Sequence, residues 1–321
     1  MRIRISALKL SVAAAVLFVA SCSGTAETAA HHNFLLVGST PCDGAIKAAL
    51  GIAAETKCDF IRWTLAMDPT KGNAYKLDAN YGEAQPNTLG FIGGGQHISA
   101  SGKFEKLTHL LLKGLPPRPR SADTPPKQGG EREVYRLRSE QPAIDVSLVK
   151  LNANLFHLLM PDGSMMIGNG GWSYTLNRSV PVANAGLPSV SLAARSASPR
   201  PLTVVFDGRT PCREITELNG IAVRAADCFK LKWRLVLNRT AATFEPTTFT
   251  IHSTFAREKP VTGKWSIVKT GDATIYRLEP DASMKPVSLL LAEDNLLFFL
   301  DADGRPLVGN KDFSFTLNRR Q

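Results

Sequence analysis

The chain has 321 residues, 44% of them hydrophobic and 21% charged, which is the composition of an ordinary globular protein. Its formal net charge of +10 falls to +7 when Arg2, Arg4 and Lys9 of the leader are set aside, and the remaining excess is spread without a dense basic block. That pattern excludes nucleic acid as the expected partner and favours an anionic lipid or glycan surface.

Residues 1–21 carry those three cations, an apolar run from Leu10 to Val19 and the small pair Ala20-Ser21. The run is about half of what a bilayer-crossing helix requires, so it reads as a secretory signal. Val19-Ala20-Ser21-Cys22 resembles the bacterial lipobox, whose cysteine is freed by cleavage and acylated. Membrane lipid, reached through acylated Cys22, is therefore the first expected partner. Residues 22–33 form a polar tether, in which His31 and His32 are expected to be solvated.

From residue 34 onward the chain is best read against its own second copy. Phe34-Leu-Leu-Val-Gly-Ser-Thr-Pro-Cys42 matches Val204-Val-Phe-Asp-Gly-Arg-Thr-Pro-Cys212, and each predicts a strand running into a short helix. Thr40 and Thr210 are placed to cap that helix, Pro41 and Pro211 to occupy its first position, and Gly51 and Gly220 to end it. Next, Ile61, Trp63, Leu65 and Met67 alternate with Arg62, Thr64 and Ala66, and Leu231, Trp233, Leu235 and Leu237 repeat the alternation. Period-two patterning predicts an antiparallel strand with one wet face. Tyr75–Leu77 with Phe249–Ile251, and Gly102–Phe104 with Gly263–Trp265, predict the two strands that follow.

Beyond that point the offset between copies falls from 170 to 141, as Val134-Tyr-Arg-Leu137 matches Ile275-Tyr-Arg-Leu278. The first copy is thus 29 residues longer, with the surplus in Gly90–His97 and in a proline-rich stretch from Thr108 to Glu131 that holds Arg118 and Arg120. Both read as loops, and these two arginines are candidates for binding an anionic surface or an envelope protein. Each copy ends on one shared motif, Asp162-Gly-Ser-Met-Met-Ile-Gly-Asn-Gly-Gly-Trp-Ser-Tyr-Thr-Leu-Asn-Arg178, which returns as Asp303 to Arg319 with nine of 17 residues identical. The expected organisation is a first repeat over 34–178, an Ala/Ser/Pro-rich linker over 179–201 and a second repeat over 202–321. About eight short strands and one small helix per copy predict an all-β protein of two tandem lipocalin-like small antiparallel β-barrels, with an open sandwich as the alternative.

Cys42 and Cys58, like Cys212 and Cys228, are 16 positions apart. In an exported chain this predicts two disulfides; the rival reading is a reactive thiol at Cys42 or Cys212, near a helix start. His157 with Met160, Met165 and Met166 would suit reduced copper, yet the matched residues in copy two are Phe298, Asp301, Pro306 and Leu307, which favours a packed strand. Trp63 and Trp233 are candidate lining for a ligand cavity, or plain core. Gly93-Gly-Gly95 lacks the surroundings of a phosphate loop. No nucleophile motif, metalloprotease motif or recurring carboxylate pair is present, so no enzyme activity and no cofactor are expected.

The Thr-Pro-Cys opening, the short helix, the Trp-x-Leu and Tyr-Arg-Leu strands and the run Asp294 to Gly304 together resemble the N-terminal domain of NlpE-like copper-homeostasis lipoproteins. That resemblance implies an outer-membrane lipoprotein with a lipocalin-like barrel, linked to envelope stress sensing and copper tolerance. The family's Pro-Cys-x-x-Cys element is broken here, because the second cysteine lies 16 residues on. The leading expectation is a non-catalytic, lipid-anchored module of the bacterial envelope; a carrier of a small apolar ligand and an envelope hydrolase are the alternatives.

Overall fold

A computed structural model describes residues 33–107, 133–183, 185–186, 201–212, 214–216, 228–256, 259–271, 273–281 and 284–320. Cys22, the tether up to residue 32, the whole insertion 108–131 with Arg118 and Arg120, and most of the linker lie outside them, as does Gly220.

The first repeat contributes β1 (Phe34–Pro41), β2 (Phe60–Asp68), β3 (Ala74–Gly82), β4 (Gln96–Leu107), β5 (Val134–Glu140), β6 (Ala143–Lys150), β7 (Leu155–Leu159) and β8 (Thr175–Arg178). Every strand pairs antiparallel with the next, and β8 returns to β1 to close a barrel. The second repeat does the same with β9 (Thr203–Thr210), β10 (Leu231–Arg239), β11 (Pro246–Ser253), β12 (Val261–Thr270), β13 (Ala273–Pro280), β14 (Val287–Ala292), β15 (Leu296–Phe299) and β16 (Thr316–Arg319). The all-β, two-barrel expectation therefore holds, and closure removes the sandwich alternative. Barrel closure also pairs both edges of each sheet, which an open sheet of this length would leave exposed.

Alternation sets which side chains fill each barrel. Along β2, Ile61, Trp63, Leu65 and Met67 are buried in one core cluster, while Arg62, Thr64 and Ala66 lie on the opposite face, where Phe60 is buried against Phe91 and Trp172. The second barrel repeats this with Leu231, Trp233, Leu235 and Leu237. Register is matched as well, since Trp63 lies opposite Gly38 and Trp233 opposite Gly208.

The helix α1 (Gly44–Ala49) follows β1, but its N-cap is Asp43, whose carboxylate accepts from the Ala45 and Ile46 amides at 3.1 Å. Thr40 is not the cap. It sits inside the barrel and its hydroxyl accepts the Trp63 indole N–H at 2.8 Å, as Thr210 accepts that of Trp233 at 2.9 Å. Pro41 correspondingly ends the strand instead of starting the helix. The correction has a simple cause: a buried indole N–H must find an acceptor, and the threonine one strand away supplies it. Gly51 does end α1 in the left-handed region, at φ 66°. In the second repeat residues 214–216 are helical.

The cysteines are paired as Cys42–Cys58 and Cys212–Cys228, with Cα separations of 5.6 and 5.8 Å. Each bond ties the segment after the first strand of a barrel to the start of its second, leaving neither thiol free. The start of the linker is held too: Asn154 accepts from the Val182 amide at 2.7 Å and donates to the Val182 carbonyl at 2.8 Å. Among the described residues, no helix is long and apolar enough to cross a membrane.

Candidate functional site

The two barrels are not independent beads. Val149, Leu155 and Met165 of the first pack with Leu290, Leu296 and Phe298 of the second in a third apolar cluster, separate from either barrel interior. Around it runs a polar seam built by the motif that ends each repeat. The Gly168 amide donates to Asn318 Oδ1 at 2.9 Å, and the Gly309 amide donates to Asn177 Oδ1 at 2.8 Å. Asn318 then donates to the Asn169 carbonyl at 3.3 Å, and Asn177 to the Asn310 carbonyl at 3.2 Å. Each contact is the mirror of another with the copies exchanged, the signature of a self-complementary interface about a two-fold axis.

Residues on the axis meet their own counterparts. Ser173 bonds Ser314 at 2.6 Å, Thr175 bonds Thr316 at 3.1 Å, and the His157 ring lies edge-on to that of Phe298 with centroids 6.2 Å apart. The glycines are needed for this approach: a Cβ on Gly168 would lie 2.3 Å from the Trp172 carbonyl oxygen and 2.8 Å from Asn318 Oδ1, and one on Gly309 would lie 2.2 Å from that of Phe313 and 3.0 Å from Asn177 Oδ1. The following asparagine shapes the loop. Asn169 Oδ1 accepts from the Gly171 and Trp172 amides, and Asn310 Oδ1 from those of Asp312 and Phe313, forming matched Asx turns.

His157 lies at the centre of the seam and is fully buried. The Met166 carbonyl, 2.8 Å from Nε2, can only accept, so Nε2 carries the proton and Nδ1 accepts from the Thr175 hydroxyl at 3.0 Å. Thr175 in turn accepts from Thr316. Burial pushes the His157 pKa down to about 4, partly opposed by the Met166 carbonyl. Both ring nitrogens are thus committed to protein partners. Met165 faces the inter-barrel cluster, Met166 the first barrel's interior, and Met160 packs against that same core, so the structure does not assemble these four residues into a ligand set. Among the described residues no three His, Cys, Asp or Glu side chains converge on one point.

Trp63 and Trp233 are 1% and 4% exposed and embedded in the barrel cores. Gly90–His97 forms a folded rim: Gly93, Gly94 and Gly95 all have positive φ, and Phe91 stacks on Phe60 at 4.1 Å between centroids. Beside this rim lies an open cleft of about 400 Å³, bordered by Thr56, Lys57, Tyr81, Glu83, Ile92 and Gln96. Ile92 is 55% exposed there.

At one end of the seam the mirror relation fails. Copy one presents Ser39 and Arg62, which are cross-strand neighbours; copy two presents Arg209 and Lys232 at the matched places. Arg62 donates to Asp312 at 2.7 Å and to the Leu89 carbonyl, and its guanidinium lies over the Phe60 and Phe91 rings. Gly171 occupies the place that matches Asp312, and Arg209 lies over the Trp172 ring at 5.4 Å. Sequence reasoning missed this seam entirely, although its residues are the ones most alike between the copies. Comparison with protein-family models, with curated proteins and with solved structures finds no match to this chain.

Proposed function

We propose that the protein is a non-catalytic binding module of the bacterial envelope, held to lipid by acylated Cys22 and presenting its groups on the barrel rims and along the seam edge. The observation that carries this reading is that both barrel interiors are filled: the two largest candidate lining residues, Trp63 and Trp233, are buried and hydrogen-bonded within packed cores. A filled barrel serves as a rigid scaffold, and binding groups on such scaffolds sit on the connecting segments. The two disulfides fit an oxidising compartment. Resemblance to NlpE-like lipoproteins suggests envelope stress sensing as the output, while the committed nitrogens of His157 speak against a copper role for the His157, Met160, Met165 and Met166 set.

The test is chemical cross-linking in the intact envelope of a bacterial host, followed by fractionation. Wild type is expected in the membrane fraction with a lipidated residue 22 and a cross-linked partner; Cys22→Ala is expected to be released or left unprocessed. Excising Leu115 to Gly130 and closing the gap with a short glycine linker is expected to abolish the cross-link without moving the melting temperature. Membrane retention with an unmodified Cys22, or turnover of a substrate by the purified protein, would overturn the proposal.

A further inference from the structure

At the broken end of the seam, copy two holds cations that have no counter-ion among the described residues. Arg209 and Lys232 stand directly opposite each other on β9 and β10, and Lys230 lies two residues before Lys232, just ahead of β10, with its ammonium 4.8 Å from the Phe229 ring centroid. Like charges directly opposite on neighbouring strands are destabilising. In copy one the matched pair is Ser39 and Arg62, one neutral and one neutralised by Asp312. Facing copy two, the place of Asp312 is taken by Gly171 of copy one, which supplies no charge. The nearest acid along the strand, Asp207, is taken by Arg234 at 3.0 Å. Among the described residues Arg209 makes no ion pair; its Nε is buried without a partner, and one face of its guanidinium is covered by Trp172.

Burial lowers the pKa of Arg209, and burial together with the Arg209 and Lys232 charges lowers that of Lys230. Three cations therefore lie close together, and among the described residues they meet the Phe229 and Trp172 rings but no carboxylate. The glycines leave room on the Arg209 side: a Cβ on Gly170 would meet only Asp207 Cβ at 3.5 Å, and one on Gly171 would lie 3.0 Å from its own loop's Asn169 Oδ1 but no nearer than 3.7 Å to the Arg209 guanidinium.

We infer that Arg209, Lys230 and Lys232, with Gly170-Gly171 as the floor and Trp172 as a wall, form a binding site for a phosphate group. A planar guanidinium fork matches phosphate oxygens in pairs, and two flanking ammonium groups suit a second negative charge. The site adds a ligand chemistry to the binding role above but needs neither the lipid anchor nor the loop at 115–130, so either can fail without the other. The phosphate belongs either to a free anion or to a lipid headgroup, and the two sources are separable.

The full chain, solubilised in neutral detergent at low ionic strength, is titrated by calorimetry with inorganic phosphate and with dihexanoyl phosphatidate below its micellar concentration. Saturable 1:1 binding of either probe is expected; tenfold tighter binding of phosphatidate assigns the lipid source, and equal binding the free anion. Arg209→Met is expected to weaken binding at least tenfold. Gly171→Asp, which lets copy one present to copy two the carboxylate that copy one receives from Asp312, is expected to weaken binding as much and to raise the melting temperature. Lys264→Met, on an exposed strand position of β12, is the control and is expected to leave binding unchanged. Absence of binding by wild type, equal losses in Arg209→Met and Lys264→Met, or full binding by Gly171→Asp would each overturn the inference. Should Arg209→Met not fold, Lys232→Met and Gly171→Asp carry the same decision.

Discussion

The centre of the inter-barrel seam and its outer edge are built on the same axis yet obey different rules. At the centre, Asn177 and Asn318 exchange the same hydrogen bonds with Gly309 and Gly168, and both asparagines are buried. At the edge, Arg62 meets Asp312 on one side while Arg209 faces Gly171 on the other. A buried polar group must be satisfied by its partner, so at the centre both copies must keep the same residues. Towards solvent water substitutes for a missing partner, and the copies are free to diverge. The contrast separates residues that hold the molecule together from those available for binding.

Breaking the symmetric centre should produce the largest effect. Gly168→Ala and Gly309→Ala each force a Cβ to within 2.3 Å or less of a backbone oxygen, and each is expected to cost about 3 kcal/mol, the upper end of the overpacking range. The double variant should lose more than either single one in urea denaturation, whereas Gly170→Ala, whose Cβ would make only an ordinary contact with Asp207 Cβ at 3.5 Å, should stay within about 0.5 kcal/mol of wild type.

The sharpest internal asymmetry at the centre is His157 opposite Phe298, and it predicts a pH dependence. Because burial holds the folded-state pKa at about 4, below the usual value of 6.5, the unfolded chain binds the extra proton first as pH falls. Stability contributed by the neutral ring is complete above about pH 6.5 and is lost progressively down to about pH 4, by roughly 3 kcal/mol. His157→Phe, which copies the second repeat, should flatten that window of the stability profile. An unchanged slope between pH 6.5 and 4 would show that the burial seen here is not what sets it.

The edge should give the smallest change. Asp312→Gly makes copy two resemble copy one at Gly171 and leaves Arg62 with the Leu89 carbonyl and two aromatic faces. A loss of about 1 kcal/mol is expected, because the Arg62 and Asp312 side chains are 21% and 11% exposed and water reaches the freed guanidinium in part. A double-mutant cycle with Arg62→Met measures the pair itself.

Much of each barrel was legible in the sequence because alternation reports directly on burial: Ile61, Trp63, Leu65 and Met67 could be assigned inward from spacing alone. The cysteine pairs were legible for a similar reason, since the same separation recurs in both copies. The helix cap was misread, as Thr40 fits the local pattern of a cap while the competing acceptor role arises from Trp63, 23 residues away. The seam was illegible for a deeper reason. Gly-Asn and Thr-Leu-Asn-Arg recur in both copies, and recurrence alone reads as shared fold; that Asn177 reaches across to Gly309 depends on how two finished barrels face each other, which no local periodicity encodes.

The one-sided Arg62–Asp312 bridge has a consequence for what such a protein is permitted to become. In a homodimer every substitution appears twice, so an arginine on one side of the axis is necessarily an arginine on the other, and a favourable change at one site is tied to its effect at the second. Carrying both barrels on a single polypeptide removes that constraint: Ser39 and Arg209, or Asp312 and Gly171, occupy equivalent places but are encoded separately. The pairing of the barrels also ceases to depend on concentration, because the partner is always attached. One edge of the seam can then be reserved for holding the halves together while the other is given up to a ligand.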